Sequence, residues 1–294
     1  MGLFNDSRFS RDEDDLLLLR NIDISPMVNG NSDVVFVDAV NGNDANDGRS
    51  WESAKQTIQA GVNLARYLPG TTTIDDTKDH HAYVFVAPGQ YNEQVLFSGF
   101  NIHLIGMTGG NELSNKDYGV TINYDGAVAA TCVLGFTGAG IEIANITIHC
   151  NQAIPAMYIP SPGDGCLIRN CYFTGNDAKT STYAIQGDIK TSVIRDCLIE
   201  GFTTGIEIGG NAGGGGAWAY NSRIQGNFIT KCTNGILIPA GAVAGQTMVL
   251  DNVAVGSSCS ITNSTATDVV IASNLVKPAV SDGGAASGDN TTLA

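Results

Sequence analysis

Basic residues are scarce in this sequence. Fifteen Lys and Arg stand against 29 Asp and Glu, a formal net charge of −14. A surface so acidic repels phosphate backbones, so nucleic acid is not expected as a partner. Long apolar runs are missing too. The densest, Leu16 to Leu19, is far too short to span a bilayer, and no membrane insertion is expected. Residues Met1 to Arg8 lack the basic and apolar regions of a secretory signal, which points to assembly in a cytoplasm. The seven cysteines, Cys132, Cys150, Cys166, Cys171, Cys197, Cys232 and Cys259, contain no C-x-x-C pair. They suggest neither a disulfide framework nor a zinc site and read as small buried apolar residues; no metal or cofactor is expected. What is present is 43% hydrophobic residues against 15% charged, enough for a sizeable core, and 36 Gly against 8 Pro.

Internal repetition organises the chain. Six segments share the order aliphatic, two polar or small residues, small or aliphatic, any, aliphatic or aromatic. They begin at Ile143, Ile168, Ile194, Ile224, Leu250 and Ile271, with spacings of 25, 26, 30, 26 and 21 residues. That period belongs to a solenoid, with one coil per repeat. Short runs rich in Ile and Val, punctuated by Gly, Asn and Asp, make strands rather than helices. Stacking coils ~4.8 Å apart puts equivalent side chains in columns. The third residues of the segments, Asn145, Asn170, Asp196, Gly226, Asn252 and Ser273, suit a tight bend. The fourth position puts Cys171 over Cys197.

Earlier coils are expected around Tyr83 to Tyr91 and Asn101 to Ile105, and a strand at Val34 to Val37. An open solenoid end exposes core and strand edge, so it needs a cap. Ser53 and Gln56 form a capping box, with Ile58, Val62, Ala65 and Leu68 at helical spacing, which predicts a capping helix near 53–68. The domain reading is a docking arm over 1–32, a right-handed parallel β-helix over 33–278 and a Gly/Ala/Ser-rich tail over 279–294.

The segment Val35-Phe-Val-Asp-Ala-Val-Asn-Gly-Asn-Asp-Ala-Asn-Asp-Gly48, followed by Trp51 and Lys55-Gln-Thr-Ile-Gln59, resembles the entry and capping helix of pectate-lyase-like β-helix proteins. Many of those belong to bacteriophage particles, as tail spikes, fibres or surface appendages. The resemblance spans Val34 to Val276 and implies the fold; the chemistry must come from a site.

A hydrolase needs two carboxylates flanking the bond, about 5 to 9 Å apart, and a lyase needs an Arg or Lys base beside acidic calcium ligands. Same-column acids on adjacent coils would meet the first requirement. Glu207 is followed one coil on by Leu237, Glu142 by Leu167 and Glu200 by Thr230, so no such pair is found and no polysaccharide depolymerisation is expected. Arg169 and Arg195 share an outward column. Two like charges there need acids or a ligand. Surface pairing with Asp196, Glu200 or Asp188 is one reading; a site for an acidic sugar, with Glu207, is the other. His80 and His81 read as exposed. Asp38, Asp44 and Asp47 form either Asx turns or a calcium loop, and their spacing is not that of an EF-hand.

The outward column Thr147, Tyr172, Leu198, Phe228, Ala254 and Leu275 carries large apolar side chains that a monomer would hide. Tyr172, Leu198, Phe228 and Leu275 are therefore expected at an interface, in a homotrimer. At the N-terminus, Ser10 and Glu13 suggest a second capping box before Leu16, Leu17, Leu18 and Leu19, giving a short helix that needs a partner. Together these point to a bacteriophage virion protein, exterior on tail or capsid. It would dock through those leucines to other virion proteins and touch a host surface polysaccharide. The alternative is a polysaccharide lyase or glycoside hydrolase of the same fold.

Overall fold

A computed structural model describes residues 9–11, 17–19, 22–23, 32–67, 81–107, 119–124, 131–176, 181–209, 218–240, 242–255, 261–264, 268–277, 280–281, 286–287 and 291–292. Of these, 9–32, 161–163, 218, 243–244 and the positions from 280 onward are described by backbone alone.

The chain winds as a right-handed parallel β-helix of three sheets. Sheet A has ten strands, from Ser32–Val37 to Ala286–Ser287, and sheet B has nine, from Gly89–Asn92 to Thr291–Thr292. Sheet C has ten, from Val95–Phe100 to Val280–Ser281 with two side strands, Trp218–Tyr220 and Val243–Gly245. Each coil passes from A to B to C and rises onto the next. The interior column of sheet A runs in register through Val35, Val84, Leu104, Ile143, Ile168, Ile194, Ile224, Val249 and Ile271. All nine are fully buried. Each contributes on the order of 1.5–3 kcal/mol, as an upper bound against an extended chain. The repeat read from the sequence is this column.

The fifth segment begins at Val249, not Leu250, because Val249 is the residue paired with Ile224 and Ile271. Two aliphatics in succession concealed which of them faces inward. The bend column is accordingly Asn145, Asn170, Asp196, Gly226, Asp251 and Ser273, all with φ between 51° and 67°. A second bend column, absent from the sequence reading, stands between sheets C and A: Asn101, Gly140, Gly165, Thr191, Asn221, Gln246 and Asp268, with φ of 50° to 67°. Left-handed backbone favours Gly, Asn and Asp, so Thr191 and Gln246 hold it against their own preference.

Inside the A-to-B corner the buried column passes from Ile146 through Cys171 and Cys197 to Asn227, Asn252 and Asn274. The three asparagines bond to one another along the axis, Asn227 Nδ2 to Asn252 Oδ1 at 2.9 Å and Asn252 Nδ2 to Asn274 Oδ1 at 3.0 Å.

The cap is shorter than expected. Helix α1 spans Ile58–Ala65 and starts at Thr57, whose side chain accepts from the Ala60 N–H. Ser53 is not the cap; its hydroxyl donates to Asp47 at 2.7 Å. The Glu93 carboxylate, from the coil below, accepts the Ile58 and Gln59 N–H groups at 2.8 and 2.9 Å and so holds the free helix end. Ile58, Gly61, Val62 and Ala65 face the core, and a Cβ at Gly61 would come within 2.5 Å of Val37 Cγ2.

Among the described residues the expected N-terminal helix is not seen. Phe9–Arg11, Leu17–Leu19 and Ile22–Asp23 pair antiparallel as a small sheet. Four consecutive leucines carry no 3.6-residue period, and a helix that short is marginal, whereas a hairpin pairs its backbone at once. Leu16 and the tail positions between 282 and 294, apart from two short strands, lie outside the described residues. Among the described residues no helix is long and apolar enough to cross a membrane.

Candidate functional site

The expected trio of Arg169, Arg195 and Glu207 does not converge. Arg169 and Arg195 are register partners on the outside of sheet A, while Glu207 is on sheet C. The two arginines are also neutralised separately. Arg169 is 5% exposed, and its Nε and Nη2 both donate to Glu142 Oε1 at 2.7 Å. Arg195 stays in solvent and meets Asp196 at 3.1 Å. The partner of Arg169 is thus an acid one coil back, not Asp196, Glu200 or Asp188.

Glu142 anchors a chain of polar contacts. Its Oε2 takes His103 Nδ1 at 2.7 Å, and His103 Nε2 faces His81 Nδ1 at 2.9 Å. Tyr83 lies flat on His103, with ring centroids 4.3 Å apart. Burial alone would raise the Glu142 carboxyl, but the His103 hydrogen bond and the Arg169 charge outweigh it and hold it below its ordinary value. His81 is therefore part of a stacked pair and not a loose surface residue; His80 lies outside the described residues.

The acidic loop is occupied by its own chain. Asp38 accepts the Val40 and Asn41 N–H groups, Asp44 those of Gln56 and Thr57, and Asp47 that of Arg49. The Lys55 ammonium donates to the carbonyls of Asp44 and Asn46. Asp38 and Asp47 thus make Asx turns, while Asp44 ties the loop to the start of helix α1.

The sheet C exterior holds a grouping that the sequence reading missed. Tyr158, Gln186 and Glu207 form one column in register on three successive coils. Gln186 Nε2 donates to Glu207 Oε1 at 2.9 Å, and the Tyr183 hydroxyl also bonds to Glu207. Asp188 sits two residues beyond Gln186 on the same strand, and its charge acts on the Tyr158 hydroxyl. Glu207 and Asp188 are buried, at 7% and 1% exposure, beneath the partly exposed Tyr158, Tyr183 and Gln186. Burial raises the Glu207 carboxyl above its ordinary value, opposed by the bonds from Gln186 and Tyr183. Burial, then the neighbouring acids, raises the hydroxyls of Tyr158 and Tyr183. Asp188 lies one strand over and two along from Glu207, a diagonal of ~8 Å by Cα in ideal strand geometry; past Gly187 its strand turns to pair with Trp218–Tyr220 instead. Asp188 stands 19 residues before Glu207, in the preceding coil and outside its column, so a match of same-column acids on successive coils does not reveal it.

On sheet B the apolar column is partly closed. Tyr172 is 7% exposed and its hydroxyl bonds to Glu200, so it is no free interface residue. Leu198 and Leu275 are half-buried and Phe228 is 47% exposed; Val253, not Ala254, stands between Phe228 and Leu275.

Comparisons with known proteins reach the fold. No protein-family model matches the chain, and no curated protein matches it in sequence. Among solved structures, a pectin methylesterase in complex with hexasaccharide VII superposes with a TM-score of 0.52 at 13% identity, covering 84% of this chain and 80% of its own. Pectin methylesterase PemA from Erwinia chrysanthemi gives 0.50 at 12% identity, with the same coverage. The chain thus shares the pectate-lyase-like parallel β-helix with these proteins.

Proposed function

We propose that this protein is a carbohydrate-active enzyme, a hydrolase that takes a polysaccharide along the outside of sheet C. The observation that carries this reading is Glu207, a buried carboxyl with raised proton affinity held by Gln186 and Tyr183, with a second buried acid, Asp188, on the adjoining strand. A carboxyl that keeps its proton can donate it to a leaving oxygen, and the other carboxylate can activate water or attack. Half-exposed Tyr158 and Tyr183 offer ring faces and hydroxyls to a sugar. A lyase is less well served, because Arg169 and Arg195 are engaged by Glu142 and Asp196. Support from likeness is limited to one fact: a β-helix of this kind holds a hexasaccharide.

The test is an assay on neutral, esterified and uronate polysaccharides that follows reducing ends, released alcohol or acid, and unsaturated ends separately. Glu207→Gln and Asp188→Asn should each lower the rate by about 10²- to 10⁴-fold, with Arg195→Ala unaffected. No turnover on any substrate would sink the hydrolase reading. The same variant has a pH signature. A carboxyl whose folded pKa is raised stabilises fully below its unfolded pKa, and that contribution is lost as pH rises through the folded value. The wild-type melting temperature should therefore decline as pH rises from mildly acidic to neutral, and Glu207→Gln should remove that decline.

A second reading is an exterior bacteriophage component docked through Leu16 to Leu19. It is favoured by one observation, that the N-terminal strands form a sheet of their own, separate from the three solenoid sheets. Deleting residues 1–31 should then leave the melting temperature unchanged and abolish incorporation into particles; a destabilised chain that still incorporates argues the reverse. We also propose self-association, as a trimer, through Leu198, Phe228 and Leu275. Phe228→Asp should shift the sedimenting species to monomer, and an unchanged oligomer rules this stripe out as the interface.

A further inference from the structure

Cys171 and Cys197 occupy the same interior corner of two adjacent coils. Their flanks are in register, Arg169 with Arg195 and Tyr172 with Leu198, and the Leu198 N–H donates to the Cys171 carbonyl at 2.9 Å. Both side chains face the core, at 0% and 2% exposure, and the Cys197 thiol is in hydrogen-bonding contact with Cys171. Strands paired ~4.8 Å apart put such Cα atoms inside the ~4.4–6.8 Å span that disulfides use.

We propose that Cys171 and Cys197 are a latent disulfide site, closed when the chain folds against a thiol–disulfide couple such as oxidised glutathione. The first protein thiol, as thiolate, attacks a glutathione sulfur and releases one glutathione thiolate. The second protein thiolate then attacks the mixed disulfide and releases the other. The protein gives up two protons and two electrons in forming the S–S bond, and one glutathione disulfide becomes two glutathione thiols.

Position within the fold decides when this happens. Burial, and the neighbouring thiol, push the Cys197 thiol well above its ordinary value, so thiolate is scarce in the closed solenoid. Reaction belongs to folding or to local opening of the coils. Stacked side chains must also lean together, because disulfide Cβ atoms stand only ~3.5–4.5 Å apart, and a bond formed under that demand is readily reduced. The two coils joined are those that carry Gln186 with Asp188, and Glu207.

The experiment refolds the full chain from urea in a glutathione redox buffer, traps free thiols by alkylation and maps peptides without reduction. One dominant pair linking Cys171 to Cys197, two hydrogens lighter than the dithiol, is expected. It should vanish with dithiothreitol and be missing in Cys171→Ala, whose cooperative melting confirms that it folds. The oxidised protein should also unfold at a higher urea concentration than the reduced one, because the bond closes a 27-residue loop in the denatured chain. Complete alkylation of every cysteine after refolding overturns the proposal, as does a dominant link between any other pair. Neither readout depends on catalysis.

Discussion

Replacing Glu142 by Ala should destabilise the protein by about 3–5 kcal/mol, because it strands the Arg169 guanidinium in a nearly closed pocket. Arg169 is 5% exposed, and both of its described bonds go to the one Glu142 oxygen. Removing both partners is a different matter. Glu142→Leu with Arg169→Leu deletes the charges together, and Ala144, Tyr83, Phe85 and Ile105 already form an apolar cluster on that outer face. The double variant should lie within about 1–2 kcal/mol of wild type, a coupling of several kcal/mol in a double-mutant cycle. The pH dependence runs opposite to that of Glu207. A lowered carboxyl stabilises above its unfolded pKa and loses that contribution as pH falls through the folded value, so the Glu142→Ala deficit should shrink toward strongly acidic pH. Equal damage from the single and double variants in urea unfolding would show that the pair is not what holds this face.

The fold was legible because a solenoid repeats one decision many times. An aliphatic residue every coil, followed by a residue that tolerates left-handed backbone, appears often enough to survive a single slip at Leu250. Sheet C was far less legible. Its strands follow connections of unequal length, including the glycine-rich stretch after Gly209, and strand Met157–Asp164 changes register on both sides. Lengthening a loop adds little closure entropy, so such insertions are tolerated, and each erases the fixed spacing that a column search relies on. This is why Asp188 and Gln186 went unseen beside Glu207. At helix α1, Ser53 and Gln56 imitate a capping box ahead of the true start, while Thr57 and the distant Glu93 do the capping. No local pattern announces a cap donated from 35 residues away. Polar residues inside the corner were hidden for a related reason. An asparagine in a sequence suggests a surface turn, and only its alignment with Asn227 and Asn274 reveals a buried stack.

That stack supports the last prediction. Asn252 is fully buried, and its Oδ1 accepts the Asn227 N–H at 3.0 Å and the Asn227 amide at 2.9 Å. Its own Nδ2 donates to the Ile224 carbonyl and to Asn274 Oδ1, both at 3.0 Å. Asn252→Leu removes all four bonds at once. The Asn227 N–H and the Ile224 carbonyl then lose a buried partner, at about 1–3 kcal/mol each, and the larger side chain must be fitted into a closed corner. A total loss of about 3–5 kcal/mol is expected. Asn252→Asp separates hydrogen bonding from shape. It keeps the size and both acceptor bonds, and burial keeps it protonated to a higher pH; protonated, it retains one of the two donor bonds, and ionised it loses both. Its folded pKa is therefore raised, so its stability should be best in acid and fall as pH rises through that value. Urea midpoints of the two variants at mildly acidic and neutral pH decide the matter. If Asn252→Asp is damaged equally at both, or Asn252→Leu costs under about 1 kcal/mol, the asparagines fill the corner without holding it.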